Sequence, residues 1–297
     1  MIFVLASMLI AISGMAADAT GDTYVTRDFN LKDFTGISAN GIFDVQLTKS
    51  NTYKVSITLP KELEEYLDVR VSKDKLILST KQVPLKLTKN FSKWTVTAKV
   101  EMPALYSLSL SGASKFECND SFNLGDEEFK MEISGASKAN GLEIYARELN
   151  MEIGGATVAT VAGKFHKANI EMGGAAKCNF EIDADELDQE LSGAAKAFHT
   201  GSFDKVDVEA SGASVFTFEG EAGMIEIDGS GASKIKTTKG TANTIIAAIS
   251  GAAYCEVNAL DYLKVEAIGG SSLKYVDNDS MKLDIRSISR GSSVTKL

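Results

Sequence analysis

Six acidic residues occupy one place in a repeating pattern: Glu132, Glu152, Glu171, Glu190, Glu209 and Asp228 each stand three residues before a glycine. Five lysines, Lys115, Lys138, Lys177, Lys196 and Lys234, each follow such a glycine by three. Stacked carboxylates are hard oxygen ligands of the kind that hold calcium, and a mixed acidic and lysine surface also suits glycans. The competing reading is a solvated outer face whose screened ion pairs each contribute little. That plainer reading leads, because two like charges ~4.8 Å apart in water repel by a little under ~1 kcal/mol, which nearby lysines offset.

Catalytic signatures are scarce. The two histidines, His166 and His199, have no candidate nucleophile near them in sequence, and a lone histidine on such a chain is expected on the surface or in a loop. There is no Gly-x-Ser-x-Gly elbow, phosphate-binding loop or His-Glu-x-x-His. The cysteines Cys118, Cys178 and Cys255 are odd in number. Cys178 and Cys255 fall in one repeat column, four repeats apart. At strand spacing that is ~19 Å, beyond disulfide reach, so they are expected to fill an interior column as small apolar residues. No residue is assigned to catalysis, to a cofactor or to a metal.

The glycines that set these columns belong to a phrase met ten times. It reads SGASK at Ser111 and Ser134, then GGATV, GGAAK, SGAAK, SGASV, SGASK, SGAAY, GGSSL and RGSSV. Taking Gly112, Gly135, Gly155, Gly174, Gly193, Gly212, Gly231, Gly251, Gly270 and Gly291 as the common column, most intervals are 19 or 20 residues. A fixed period near 20 is the mark of a solenoid. The residues before each glycine alternate apolar and acidic, as in Met151-Glu152-Ile153 and Ile170-Glu171-Met172, which is the period of a half-buried strand. Only Ala, Ser or Thr fills the two columns after the glycine. That demands a tight corner with the next coil close by, where glycine supplies positive φ or close backbone approach. The expectation is an all-β, single-stranded parallel β-helix of about ten coils. Stability comes from stacking neighbours, since one coil cannot bury its own apolar face.

Three segments are expected along the chain. Residues 1–17 read as a signal peptide, because the apolar run from Ile2 to Ile12 is too short to span a bilayer and small residues follow at Gly14 and Ala16. Residues 23–103 read as a β-rich N-terminal cap, with a short helix near 60–67 after Pro60 and an irregular stretch from Lys81 to Lys93. Residues 104–297 are expected to carry the β-helix repeats, continuous with the cap. The net charge of −9 and pI near 5.0 disfavour nucleic acid as a partner.

Three pieces together resemble the GIN-domain family, the auto-transporter adhesin head domain common in envelopes of Bacteroides-like bacteria. They are Ile37-Ser38-Ala39-Asn40-Gly41-Ile42-Phe43-Asp44-Val45, the strands at Tyr53-Lys54-Val55 and Leu76-Ile77, and the passage from Met102-Pro103 into Ser111-Gly112-Ala113-Ser114. The resemblance implies a right-handed coil. It also implies an exported protein of the periplasm, outer surface or medium, with an adhesive or structural role toward surface glycans or other envelope proteins, and no catalysis. End-to-end self-association through the last coil is a further expectation. A polysaccharide lyase or hydrolase using the acidic face is the alternative. Because uniform coils leave little room for functional loops, a specific site is first sought in the longer interval, at Asn119 to Phe129.

Overall fold

A computed structural model describes residues 12–17 and 23–297. Most of the expected signal peptide, residues 1–11, lies outside the described residues; Ile12–Ala17 is a strand paired antiparallel with Thr23–Phe29. The described chain is nearly all β and forms a β-solenoid of about ten turns. Its described residues divide into two compact units, those up to Phe122 with 136–142, and residues 123–135 with 143–297.

The first unit combines hairpins with coil-like parallel pairs. Thr23–Phe29 pairs antiparallel with Lys54–Pro60, and that strand pairs antiparallel with Val96–Met102. Leu67–Ser72 and Lys75–Thr80 form a hairpin. Both of its turn residues, Lys73 and Asp74, have positive φ, as the tight turn that matches strand twist requires. The expected helix is a 3-10 turn at Lys61–Tyr66 that buries Leu63. The irregular stretch after Lys81 holds one helical turn, Leu85–Thr88. Parallel pairing starts earlier than the SGAS phrases do. Gly36–Gly41 lies beside Ser107–Gly112 with Gly41 opposite Gly112, and Asp44 lies opposite Lys115. Asn40-Gly41 is therefore a further copy of the corner, hidden because bulky Ile42 and Phe43 follow it.

In the second unit the repeat is nearly ideal. Val158–Met172, Lys177–Leu191, Lys196–Ala210 and Val215–Gly229 pair in parallel along their lengths at an offset of one repeat. At the corners from Gly155 to Gly269 the residue after the glycine donates its N–H to the glycine carbonyl one coil back, as Ala175 does to Gly155 at 2.8 Å. Gly155 shows why the column is glycine. Its φ is +74°, and an added Cβ would lie 2.4 Å from the Gly135 carbonyl oxygen. Two residues on, the side chain turns inward at every well-formed corner: Thr157, Ala176, Ala195, Ser214, Ser233 and Ala253 are all buried. Apolar columns fill the interior, among them Phe165, Phe180 and Phe216. Each such ring contributes roughly 1.5–3 kcal/mol through burial.

Two positions depart from the sequence reading. The corner glycine near the end is Gly269, not Gly270: Gly269 has φ +79° and its Cβ would meet the Gly251 carbonyl, whereas Gly270 donates to that carbonyl as the alanines do elsewhere. Ser271 is accordingly the buried corner residue. His199 points inward, against the expectation of a histidine on the surface or in a loop, and the neighbouring Phe198 does not. His199 sits between Phe180 and Phe218 in one inner column, while Phe198 is half-buried on the outer side beside Asn179 and Thr217.

Candidate functional site

The acidic column exists as a physical ladder. Glu171, Glu190, Glu209 and Asp228 are registered side by side on successive coils and face outward. A second column two residues earlier places Asp188, Asp207 and Glu226 in register. Lysines lace this second column. Lys167 reaches Glu186 at 3.2 Å and Asp188 at 2.7 Å, and Lys205 reaches Asp207 at 3.7 Å and Glu226 at 2.8 Å. The carboxyl of Asp207 is nonetheless held above its usual range, chiefly by burial; Lys205 is the next influence and lowers it, while Glu226 and Asp188 raise it. Among the described residues no group of three His, Cys, Asp or Glu side chains converges as metal ligands do. The lysine column also stacks, with Lys177 beside Lys196, but Val215 interrupts it before Lys234. Shallow hollows do lie along the acidic columns, one of about 450 Å³ lined by Asp188, Glu190, Asp207 and Glu209 and one of about 380 Å³ lined by Glu128, Glu132, Glu152 and Glu171.

The two histidines have opposite surroundings. His199 is fully buried; its Nε2 pairs with Gln189 Oε1 at 2.9 Å and its ring stacks on Phe180 with centroids 4.5 Å apart. Burial lowers its pKa to about 3, so it is a neutral core residue at ordinary pH. Gln189 is the reason a histidine can sit there, because it pairs the ring and donates in turn to the Ile170 carbonyl at 2.9 Å. His166 is exposed, and its Nδ1 lies 2.7 Å from an Asp185 carboxylate oxygen. The three cysteines are free and buried. Burial pushes the Cys178 thiol up to about 12 and raises Cys118 and Cys255 as well, which makes all three unreactive packing residues.

Around His166 the surface is concave. A groove of about 550 Å³ runs over successive coils and is lined by Lys164, Asp183, Asp185, Asp204, Glu221 and Asn243 among others. A smaller hollow of about 260 Å³ adjoins it through the shared Lys164 and Asp185, and adds Asn123, Tyr145, Arg147 and His166. The groove has a simple plan. Its floor is one column, in which Phe165, Ala184, Phe203, Ala222 and Ala242 follow each other coil by coil. The residues on either side of each floor position point outward and form the two walls. Lys164, Asp183, Ser202, Glu221 and Thr241 make one wall, and His166, Asp185, Asp204 and Asn243 the other. Asp183 accepts the Ser202 N–H at 2.9 Å and Asp185 holds His166, so the walls are braced between coils. Glycines at the adjoining bend bring the coils close: at Gly201, φ is +141° and a Cβ would sit 1.8 Å from the Ile182 carbonyl oxygen.

The segment in the longer interval is not a loop. Ser121–Ile133 is a strand, in which Asn123 accepts the Gly125 N–H at 3.0 Å. Asn123 and Gly125 do line the smaller hollow. The groove itself was not found from sequence. Its signal was present: nine residues before successive corner glycines stand Ala146, Phe165, Ala184, Phe203, Ala222 and Ala242, an alternation of large and small at one inward position.

With this geometry in place, comparison with known proteins becomes informative. The family model described as "Putative auto-transporter adhesin, head GIN domain" matches residues 33–198 and again 165–278. None of the curated proteins matches the chain in sequence. Among solved structures, a putative adhesin from Parabacteroides merdae is similar with a TM-score of 0.58 at 16% identity, covering 92% of this chain and 96% of that one. A putative adhesin from Parabacteroides distasonis is similar with a TM-score of 0.54 at 16% identity, covering 92% and 97%. Identity at this level speaks for the fold alone, whereas the family matches span most of the chain. The chain belongs to the GIN-domain family of auto-transporter adhesin heads, whose name carries an adhesive, binding role.

Proposed function

We propose that this protein is a non-catalytic binding protein of the cell envelope, exported from the cytoplasm, that attaches to surface glycans through the groove beside His166. The observation that carries the reading is the composition of that groove. Amides, carboxylates and cations line an open channel with an apolar floor, the mixture that lets a site pair hydroxyls while packing against sugar rings. Tyr145 is 39% exposed at one end, offering a flat ring next to polar groups, and Leu260 is 37% exposed at the other, an aliphatic contact. Cleavage of the glycan has less in its favour. Asp185 is occupied by His166 and Asp183 by the Ser202 N–H, so these two carboxylates are engaged in bracing the walls.

The test has two arms. Protease shaving of intact cells should release fragments of the chain, and the purified protein should bind a subset of a glycan array without shortening the glycans. Fragments appearing only after lysis would remove the surface role. Release of shorter sugars would restore the hydrolase or lyase alternative.

A further inference from the structure

We propose that the segment from Lys81 to Lys93 docks this protein on an anionic lipid surface, its lysines against the headgroups and Leu85 entering the interface. This goes beyond the groove, none of whose residues takes part. The first observation is a charge asymmetry. The chain carries 40 acidic residues and a net charge of −9, yet no acidic residue lies between Asp74 and Glu101, a stretch whose charged residues are Lys75, Lys81, Lys86, Lys89, Lys93 and Lys99. Lys81, Lys86, Lys89 and Lys93 are exposed. Among the described residues none of these four is in an ion pair. At physiological salt, charges more than about 8 Å away are largely screened. A surface that meets this segment therefore responds to its lysines before the acidity of the whole chain.

The second observation is how the segment is built. Leu85–Thr88 is one helical turn, and further turns carry it on: the Asn90 N–H donates to the Leu87 carbonyl, Phe91 to Thr88 and Trp94 to Asn90. A helical period sorts the side chains. Leu87, Thr88, Asn90 and Phe91 are half-buried and Trp94 is buried, which seats the segment, whereas Leu85, Lys86, Lys89 and Lys93 are exposed together. Leu85 is 83% exposed, the most of any large apolar side chain among the described residues. Acids of the turn Lys61–Tyr66, namely Glu62, Glu64 and Glu65, stand at the base, where the Lys81 N–H donates to the Tyr66 carbonyl at 2.7 Å. Glu64 is held there by Arg27. The lysines alone would suit any polyanion, and Leu85 decides for lipid. A soluble polyanion leaves that side chain in water, whereas the boundary between headgroups and acyl chains takes it in, beside lysine stems whose ammonium groups stay among the headgroups. Each lysine near such a surface strengthens binding by about fivefold, so the attachment is reversible and salt-dependent.

The test is co-sedimentation of the full chain with vesicles of phosphatidylcholine alone and of phosphatidylcholine mixed with an equal part of phosphatidylglycerol, with soluble dextran sulfate as a polyanion that offers no acyl chains. Binding is expected to the anionic vesicles and not to the neutral ones, and it should fall away as salt is raised. Lys86→Gln combined with Lys89→Gln should weaken it by on the order of twentyfold, and Leu85→Ser by about tenfold. Leu85→Trp should show a blue-shifted emission on anionic vesicles that neutral vesicles do not produce. All three positions are exposed, and circular dichroism checks that each variant keeps its strands. Equal binding to both kinds of vesicle, binding to neither, or full affinity in the lysine variant would overturn the inference. Undiminished vesicle binding by Leu85→Ser, with dextran sulfate competing fully, would overturn it as well, in favour of a polyanion. None of these outcomes bears on the groove, which the glycan array tests separately.

Discussion

The neighbouring glycines Gly154 and Gly155 make the sharpest test of how the corner works, because the same substitution should have opposite outcomes one residue apart. At Gly155 an alanine must adopt φ +74°, which costs an L-residue about 1–2 kcal/mol. Its Cβ would also stand 2.4 Å from the Gly135 carbonyl oxygen and 2.9 Å from the Gly135 nitrogen. These are backbone atoms that move only if the coil separates, and overpacking of this kind costs roughly 1–3 kcal/mol more. Gly155→Ala is thus expected to destabilise by about 2–5 kcal/mol, the sum of the two terms. At Gly154 no heavy atom lies within 4 Å of the built Cβ and φ is outside the positive range, so Gly154→Ala should fall within about 0.5 kcal/mol of the parent. Urea unfolding followed by circular dichroism reads both. Equal effects, or a Gly155→Ala change below about 0.5 kcal/mol, would refute the claim that close coil approach and positive φ together dictate the glycine.

Four further outcomes are expected. His199→Phe leaves Gln189 Oε1 without its partner and should cost about 1–3 kcal/mol, whereas adding Gln189→Leu should recover much of the loss, as a double-mutant cycle in urea would show. The same histidine predicts acid sensitivity. Its folded pKa of about 3 lies below the ordinary histidine value of 6.5, so the unfolded chain binds the proton first; its contribution is complete above pH 6.5 and is lost as pH falls toward 3. Unfolding midpoints taken across that window should decline less steeply in the His199→Phe, Gln189→Leu pair than in the parent. Cys118, Cys178 and Cys255 are all buried, so a thiol reagent should label none of them in native protein and all three in urea. Lys205→Gln removes the cation between Asp207 and Glu226 and should cost no more than about 1 kcal/mol, with the difference shrinking in added salt.

The architecture was legible because its cause is local and periodic. A corner that admits only glycine, followed by tiny residues, prints the coil length directly into the chain, and Gly112 through Gly251 could be aligned by eye. The errors came where side-chain size stopped marking the corner. Gly269-Gly270 offers two glycines and only the backbone shows which takes positive φ, and Asn40-Gly41 is masked by Ile42 and Phe43. Composition misled at Phe198-His199, because apolarity alone sends the phenylalanine inward. The strand phase decides otherwise, and the hydrogen bond that His199 Nε2–H donates to Gln189 Oε1, ten residues away, makes a buried histidine tolerable. The acidic and lysine columns are visible as columns in the sequence, yet among the described residues no three of their carboxylates converge as metal ligands do. The groove escaped notice for the opposite reason. Its walls mix Lys, Asp, Ser, Glu, Thr, His and Asn and share no residue type, so only their place beside one inward column unites them.

Binding at the groove is best tested by hydrogen–deuterium exchange on the full chain, with and without a saturating glycan ligand taken from the array. Protection is predicted in the peptides that carry Tyr145, Lys164 to His166, Asp183 to Asp185, Ser202 to Asp204 and Glu221 to Gly223, with little change at the acidic column of Glu171, Glu190 and Glu209. Protection centred on that acidic column or on the lysine column, with the groove peptides unchanged, would contradict it.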